Sequence, residues 1–162
     1  MTKILIFGNS GAGKSTLAAE IRASQQLGHL DLDTLAWLPT NPPQRMALIE
    51  SKRKMERFMA KNDSWIIEGC YTDLLELAEP QASEIIYLNL PVEECIANAK
   101  NRPWEPHKYD SPEAQDANLS MLIEWISDYP NRADTFSQSA HQRFYEQFSG
   151  KKTTYTSNIR LK

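Results

Sequence analysis

The chain has 162 residues and a mass of 18.5 kDa, with 41% hydrophobic and 24% charged residues, the balance of one ordinary globular domain spanning 1–162. A net charge of −3 and a pI near 5.6 argue against holding duplex DNA by blanket phosphate neutralisation, so direct DNA binding is not expected. The apolar runs are too short for a signal or membrane segment, and Cys70 and Cys95 show neither metal spacing nor a disulfide framework, so a soluble, cytoplasmic protein is expected.

Lys3 to Phe7 is a short apolar run closed by Gly8, which suits a strand buried on both faces. Leu17, Ala18 and Ile21 then recur at helical spacing between Lys14 and Gln26, and Gly28 ends that segment. His29 to Leu32 reads as a second strand. Pro39, Pro42 and Pro43 mark a loop, and an amphipathic helix is expected from Gln44 to Lys61, the element covering 44–62. Leu48, Met55, Phe58 and Met59 share its apolar side, with Arg53, Arg57 and Lys61 on another. Trp65 to Ile67 gives a third strand ending at Glu68-Gly69, followed by a short helix near Thr72 to Ala78 and a fourth strand over Glu84 to Leu90.

Pro91 at a first helical position, Glu93 and Glu94 in the first turn and Lys100 in the last bound the next helix. Asn101 to Ser111, with Pro103 and Pro106, reads as loop. Ser111-Pro112 then caps a helix whose apolar face is Leu119, Leu122, Ile123 and Ile126. A further helix is expected from Pro130 to Gly150, and a fifth strand over Lys152 to Ser157. Strands alternating with helices predict an α/β fold with a parallel sheet covered on both faces.

Gly8-Asn9-Ser10-Gly11-Ala12-Gly13-Lys14-Ser15 satisfies G-x-x-x-x-G-K-[ST] in full, between a predicted strand and a predicted helix. The glycines let the backbone aim several N–H groups at phosphate oxygens, and the helix N-terminus adds partial positive charge. Lys14 is placed to reach the β- and γ-phosphates, Ser15 to join a Mg²⁺ shell, and Thr16 to meet a further phosphate oxygen. The loop therefore predicts a bound nucleotide with Mg²⁺.

The carboxyl ends of parallel strands bring further polar groups beside such a loop. Asp31 and Asp33 are two residues apart and share a side of the second strand, and Glu68 ends the third. A carboxylate there can hold Mg²⁺ or accept a proton from an attacking hydroxyl. Glu68 is assigned to the metal with Ser15, and Asp33 to the acceptor. A turn-capping role for Asp33 is the alternative. Asp31, one strand step earlier, is expected to be tied to the backbone or to the phosphate-loop helix.

Gly8 to Thr16, His29 to Trp37, and Trp65-Ile66-Ile67-Glu68-Gly69-Cys70-Tyr71 together resemble the adenylate-kinase-like P-loop kinases. The resemblance is nearest to the branch labelled DNA topology modulation protein, and extends to Ile85–Pro91 and Tyr129-Pro130-Asn131-Arg132. It implies a three-layer sandwich with a five-stranded parallel sheet of order 2-3-1-4-5, and a small lid over the phosphates at 102–111. It places phosphate-clamping roles on Arg102 and Arg132. Three departures stand out: Glu68-Gly69-Cys70-Tyr71 replaces Asp-Gly-Asn-Tyr, Asn89 takes an acidic position, and the lid's basic residues are Arg102 and Lys108 alone. The sparse lid counts against efficient transfer to a phosphorylated acceptor.

The expected activity is that of a small-molecule kinase moving the γ-phosphoryl group of ATP to a nucleoside, nucleotide or other metabolite. Lys14, Asp33, Arg102 and Arg132 are its expected catalytic residues. The alternatives are a P-loop ATPase and a nucleotide-binding regulator linked to DNA topology. His29, His107 and His141 show no ligand spacing and read as structural or surface residues, and Trp37 and Trp104 read as packing under loops.

Overall fold

The computed structural model describes residues 1–158. Its strands are β1 (Lys3–Gly8), β2 (Gly28–Asp31), β3 (Trp37–Leu38), β4 (Gln44–Arg45), β5 (Trp65–Gly69), β6 (Glu84–Leu88) and β7 (Lys151–Tyr155). Its helices are α1 (Lys14–Ser24), α2 (Leu48–Lys61), α3 (Thr72–Ala78), α4 (Val92–Lys100), α5 (Pro112–Ser127) and α6 (Gln138–Gln147). Five strands form one parallel sheet in the order β2-β5-β1-β6-β7, while β3 and β4 make a separate antiparallel pair. Counted along the chain, the main sheet is the expected 2-3-1-4-5.

Period-two alternation in β1 builds two cores. Leu5 and Phe7 point to one face, where Met55 and Met59 of α2, Leu74 and Leu75 of α3 and Phe144 of α6 cover them. Ile4 and Ile6 point to the other, under Leu17 and Ala18 of α1, Cys95 and Ala99 of α4 and Ile126 of α5. Burying each such large side chain contributes about 1.5–3 kcal/mol before entropy is counted. With β1 central and hydrogen-bonded on both sides, its carboxyl end and the loop that leaves it are held rigidly.

Two predicted helices start later than the sequence pattern suggests. Gln44 and Arg45 belong to β4, paired with Leu38 and Trp37, and α2 begins only at Leu48. The Arg45 guanidinium explains the difference: it bonds the Ala36 carbonyl and the Asp73 carboxylate, which holds this stretch extended. Leu48 and Ile49 are exposed, while Ser51 goes inside and donates to the Leu35 carbonyl at 2.9 Å. The helix expected from Pro130 begins at Gln138, because Ser137 is its N-cap and accepts from the Ala140 amide. The second strand ends at Asp31, and Leu32–Thr34 forms a single 3-10 turn.

A buried polar chain crosses the first core. His141 Nε2 meets the Cys70 carbonyl at 2.8 Å and must donate to it, so Nδ1 is left to accept from the Tyr129 hydroxyl at 2.6 Å. Tyr129 in turn accepts from Tyr87 at 2.8 Å. Burial pushes His141 down to about 4, so it is neutral at physiological pH.

Candidate active site

The loop Gly8–Thr16 leaves β1 and opens α1, and its shape depends on glycine at two positions. Gly11 (φ +78°) and Gly13 (φ +90°) are left-handed, and a Cβ on Gly11 would lie 2.4 Å from the Cys95 carbonyl oxygen. The loop is fastened from several sides. Asn9 Nδ2 donates to the Ile126 carbonyl at 3.2 Å, Asn98 Nδ2 to Gly11 at 2.8 Å, and Asn158 Nδ2 to Ala12 at 3.1 Å. The Lys14 ammonium folds back onto the Asn9 carbonyl at 2.8 Å and Gly8 at 3.4 Å. No acidic side chain of its own occupies the first turn of α1, so the partial positive charge there is met by Glu68, which reaches it from β5.

Beside the loop opens a cavity of about 660 Å³. Ser10, Gly11, Gly13, Lys14, Ser15 and Thr16 line it on one side, with Gly8, Asn9 and Ala12 forming the loop behind. Asp31, Asp33, Glu68 and Cys70 come from the carboxyl ends of β2 and β5, and Arg102, Glu105 and Lys108 from the loop between α4 and α5. The structure thus brings the phosphate loop, Asp33, Glu68 and Arg102 into one cavity.

Ser15 Oγ donates to Glu68 Oε2 at 2.5 Å, and His29 Nε2 meets the same oxygen at 3.0 Å. Glu68 is almost fully buried. Hydroxyl and carboxylate are hard oxygen donors, and Mg²⁺ bound with a nucleotide takes few protein ligands besides phosphates and water. Ser15 and Glu68 therefore fit the ion, with Asp31 close by. Among the described residues no group of three or more His, Cys, Asp or Glu could hold a metal by itself.

Asp31, and not Asp33, caps the 3-10 turn, accepting from the Asp33 amide at 2.9 Å. That leaves the Asp33 carboxylate free to face the cavity. Its Oδ1 accepts a very short hydrogen bond from the Tyr71 hydroxyl, and its Oδ2 lies 2.8 Å from the Lys108 ammonium. Burial alone would raise the Asp33 carboxyl, but Lys108, the Tyr71 bond and the charge of Lys14 together hold it below its usual range. Asp31 moves the other way, raised by burial and by the charges of Glu68 and Asp33. Tyr71 is itself braced by Trp37 Nε1, which donates to its hydroxyl at 2.8 Å; Trp37 and Trp104 are both exposed rather than packed under their loops, and Trp37 supports the site through that bond.

The two expected arginines part company. Arg102 lines the cavity and pairs with Glu105 at 3.1 Å. Arg132 is not in the cavity wall: its guanidinium stacks 3.7 Å above the Trp125 ring and donates to the Trp125 carbonyl. Residue patterns gave no role to Tyr71, Asn98 or Asn158, and read His29, whose Nε2 meets Glu68, as structural or surface. The position of Tyr71, two residues past the end of β5, was the available signal for the first; nothing local marks Asn158. Burial pushes the Cys70 and Cys95 thiols up to about 12 and about 11, which keeps them unreactive.

The fold has solved counterparts. A sugar kinase from Janibacter superposes with a TM-score of 0.55 at 12% identity, covering 99% of this chain and 87% of that one. A deoxyadenosine kinase from M. mycoides, solved with bound dCTP, gives 0.51 at 14% over 99% and 92% of the two chains. TT1252 from Thermus thermophilus gives 0.55 at 15%, over 97% and 90%. Among curated proteins, the uncharacterized YqaC of Bacillus subtilis is 23% identical over 149 residues, 90% of this chain and 83% of that one. These likenesses establish a P-loop kinase-like fold. The AAA domain family model matches residues 4–119, a span running from β1 through the phosphate loop and both carboxylate-bearing strands into α5, and the chain belongs to that family.

Proposed function

We propose that the protein is an ATP-dependent small-molecule kinase that transfers a γ-phosphoryl group to a hydroxyl of a nucleoside, nucleotide or other metabolite. The observation that carries this reading is Asp33, held by Tyr71 and facing the same cavity as the phosphate loop.

Backbone N–H groups of Ser10 to Ser15 and the Lys14 ammonium would hold the phosphates, with Lys14 first released from Asn9 and Gly8. Bound Mg²⁺, held through Ser15 and Glu68, would supply neutralisation of the phosphate charge. Asp33 would orient the acceptor hydroxyl and take its proton as the new O–P bond forms and the bond to the departing ADP breaks. Arg102 would close over the charge that develops in transfer. The fold's likeness to a deoxyadenosine kinase, solved with bound dCTP, supports a nucleoside-sized acceptor, whereas the acidic pair Asp31 and Asp33 disfavours an acceptor whose phosphate sits against them.

The test is an acceptor screen with ATP and Mg²⁺, reading ADP release with and without each metabolite. Strong acceleration by one hydroxyl compound is the expected result. Turnover that no acceptor changes would establish an ATPase instead, and ATP binding without turnover a nucleotide-dependent regulator.

A further inference from the structure

Lys108 crosses the cavity from the α4–α5 loop to the end of β2. Its ammonium lies 2.8 Å from Asp33 Oδ2, 3.4 Å from Asp31 Oδ2 and 3.6 Å from Glu105 Oε2. Both aspartates are fixed independently of it, Asp33 by the Tyr71 hydroxyl and Asp31 by the Asp33 amide. Among the described residues, other hydrogen bonds of the loop include Trp104 Nε1 to the Tyr109 carbonyl, the Glu105 amide to Gln115 of α5, Asn118 of α5 to the Tyr109 hydroxyl, and the Arg102 amide to Ala99 of α4. Lys108 is what ties the loop to the carboxylates.

That tie stands in the way of catalysis. A hydroxyl acceptor has to approach the carboxylate oxygen that Lys108 now holds. The same cavity also contains the phosphate loop, where a triphosphate would bring several negative charges. Charges facing one another across a partly dry cavity interact far more strongly than in water. Lys108 sits on a loop, so it has somewhere to go.

We propose that Lys108 is a nucleotide-responsive cover on Asp33: without nucleotide it closes the α4–α5 loop onto Asp31 and Asp33, and a bound triphosphate draws it across the cavity and uncovers Asp33. The inference rests on the kinase reading above and deepens it, because it makes binding ordered, nucleotide first and acceptor second. The sequence marks Lys108 only as a basic residue of the lid; its carboxylate partners are a property of the fold.

Linkage supplies a test that needs no acceptor. If nucleotide must pull Lys108 from Asp33, weakening Asp33's hold strengthens nucleotide binding through Lys108. Calorimetric titration with AMP-PNP and Mg²⁺ would compare wild type, Asp33→Asn, Lys108→Gln and the double variant. Asp33→Asn should tighten binding about fivefold or more when Lys108 is present, and much less in the Lys108→Gln background. Equal tightening in both backgrounds means simple charge repulsion, and overturns the cover while leaving the kinase reading intact. No AMP-PNP binding by wild type removes the kinase reading and this inference together. Should Asp33→Asn fail to fold, amide exchange in nucleotide-free Lys108→Gln decides: residues 103–109 should exchange about fivefold faster than in wild type. Unchanged exchange there overturns the proposal.

Discussion

At the scale of single residues, neighbouring side chains that look alike in sequence do different work. Both Asp31 and Asp33 line the cavity, but Asp31 Oδ1 is consumed by the Asp33 amide, whereas both oxygens of Asp33 meet side chains, Tyr71 and Lys108. Asp33→Asn should therefore leave the ATP site in place and remove most acceptor-stimulated turnover, while Asp31→Asn should act mainly on the thermal midpoint. A folded but inactive Asp31→Asn beside an active Asp33→Asn would reverse the assignment. Lys14→Ala should weaken nucleotide binding by at least about tenfold, since it removes a charge-assisted bond to phosphate and leaves the cores untouched. Calorimetry on the folded variant checks it. The two arginines give a further contrast. Arg102→Ala should lower kcat more than it raises the Kd for ATP, as expected for a group that meets developing charge. Arg132→Ala should instead lower stability by stripping a guanidinium from the Trp125 ring and its carbonyl, readable in a denaturant midpoint.

At the scale of elements, the legible parts were those written in local pattern. The run Ile4 to Phe7, the glycine spacing, and the Ser111-Pro112 cap specify their elements without help, and each appears where expected. The starts of α2 and α6 were not legible from pattern alone: Arg45 is claimed by Asp73 and Ala36, and α6 is capped at Ser137 instead of starting at Pro130. For the same reason Asp33 could be singled out from position, but its tie to Tyr71 and Lys108 could not, since those residues lie 38 and 75 positions away. Caps and loop glycines can be tested directly. Ser137→Ala should cost about 1 kcal/mol of stability through loss of the α6 cap. Gly11→Ala should cripple nucleotide binding, because a methyl group there meets the Cys95 carbonyl and the backbone is left-handed. Retained affinity in Gly11→Ala would show that the loop can move away from α4.

At the scale of the whole molecule, the buried chain Tyr87–Tyr129–His141 makes stability depend on pH in a definite direction. His141 stays neutral in the fold down to about 4, against an ordinary value of 6.5. Below pH 6.5 the unfolded chain takes up a proton that the folded one refuses. Stability should thus fall as pH drops from 6.5 towards 4, by about 3 kcal/mol from this group. Thermal melts across that range should show the slope, and a folded His141→Gln should flatten it.

The fastening of the phosphate loop carries a consequence for how the protein comes into being. β1 pairs with β5, where Lys3 faces Trp65, and with β6, where Ile4 faces Glu84, partners that follow it far along the chain. The loop's own carbonyls are then met by Asn98 and, last of all, by Asn158. Local turns cannot assemble this arrangement, and contacts so distant along the chain form late and slowly. A chain emerging from the ribosome would carry its nucleotide motif well before the residues that fasten it, and be unable to use it until Asn98 and Asn158 had followed. Nucleotide would then capture finished molecules selectively and shield them from proteolysis, so in refolding experiments the ability to bind should be the last property recovered.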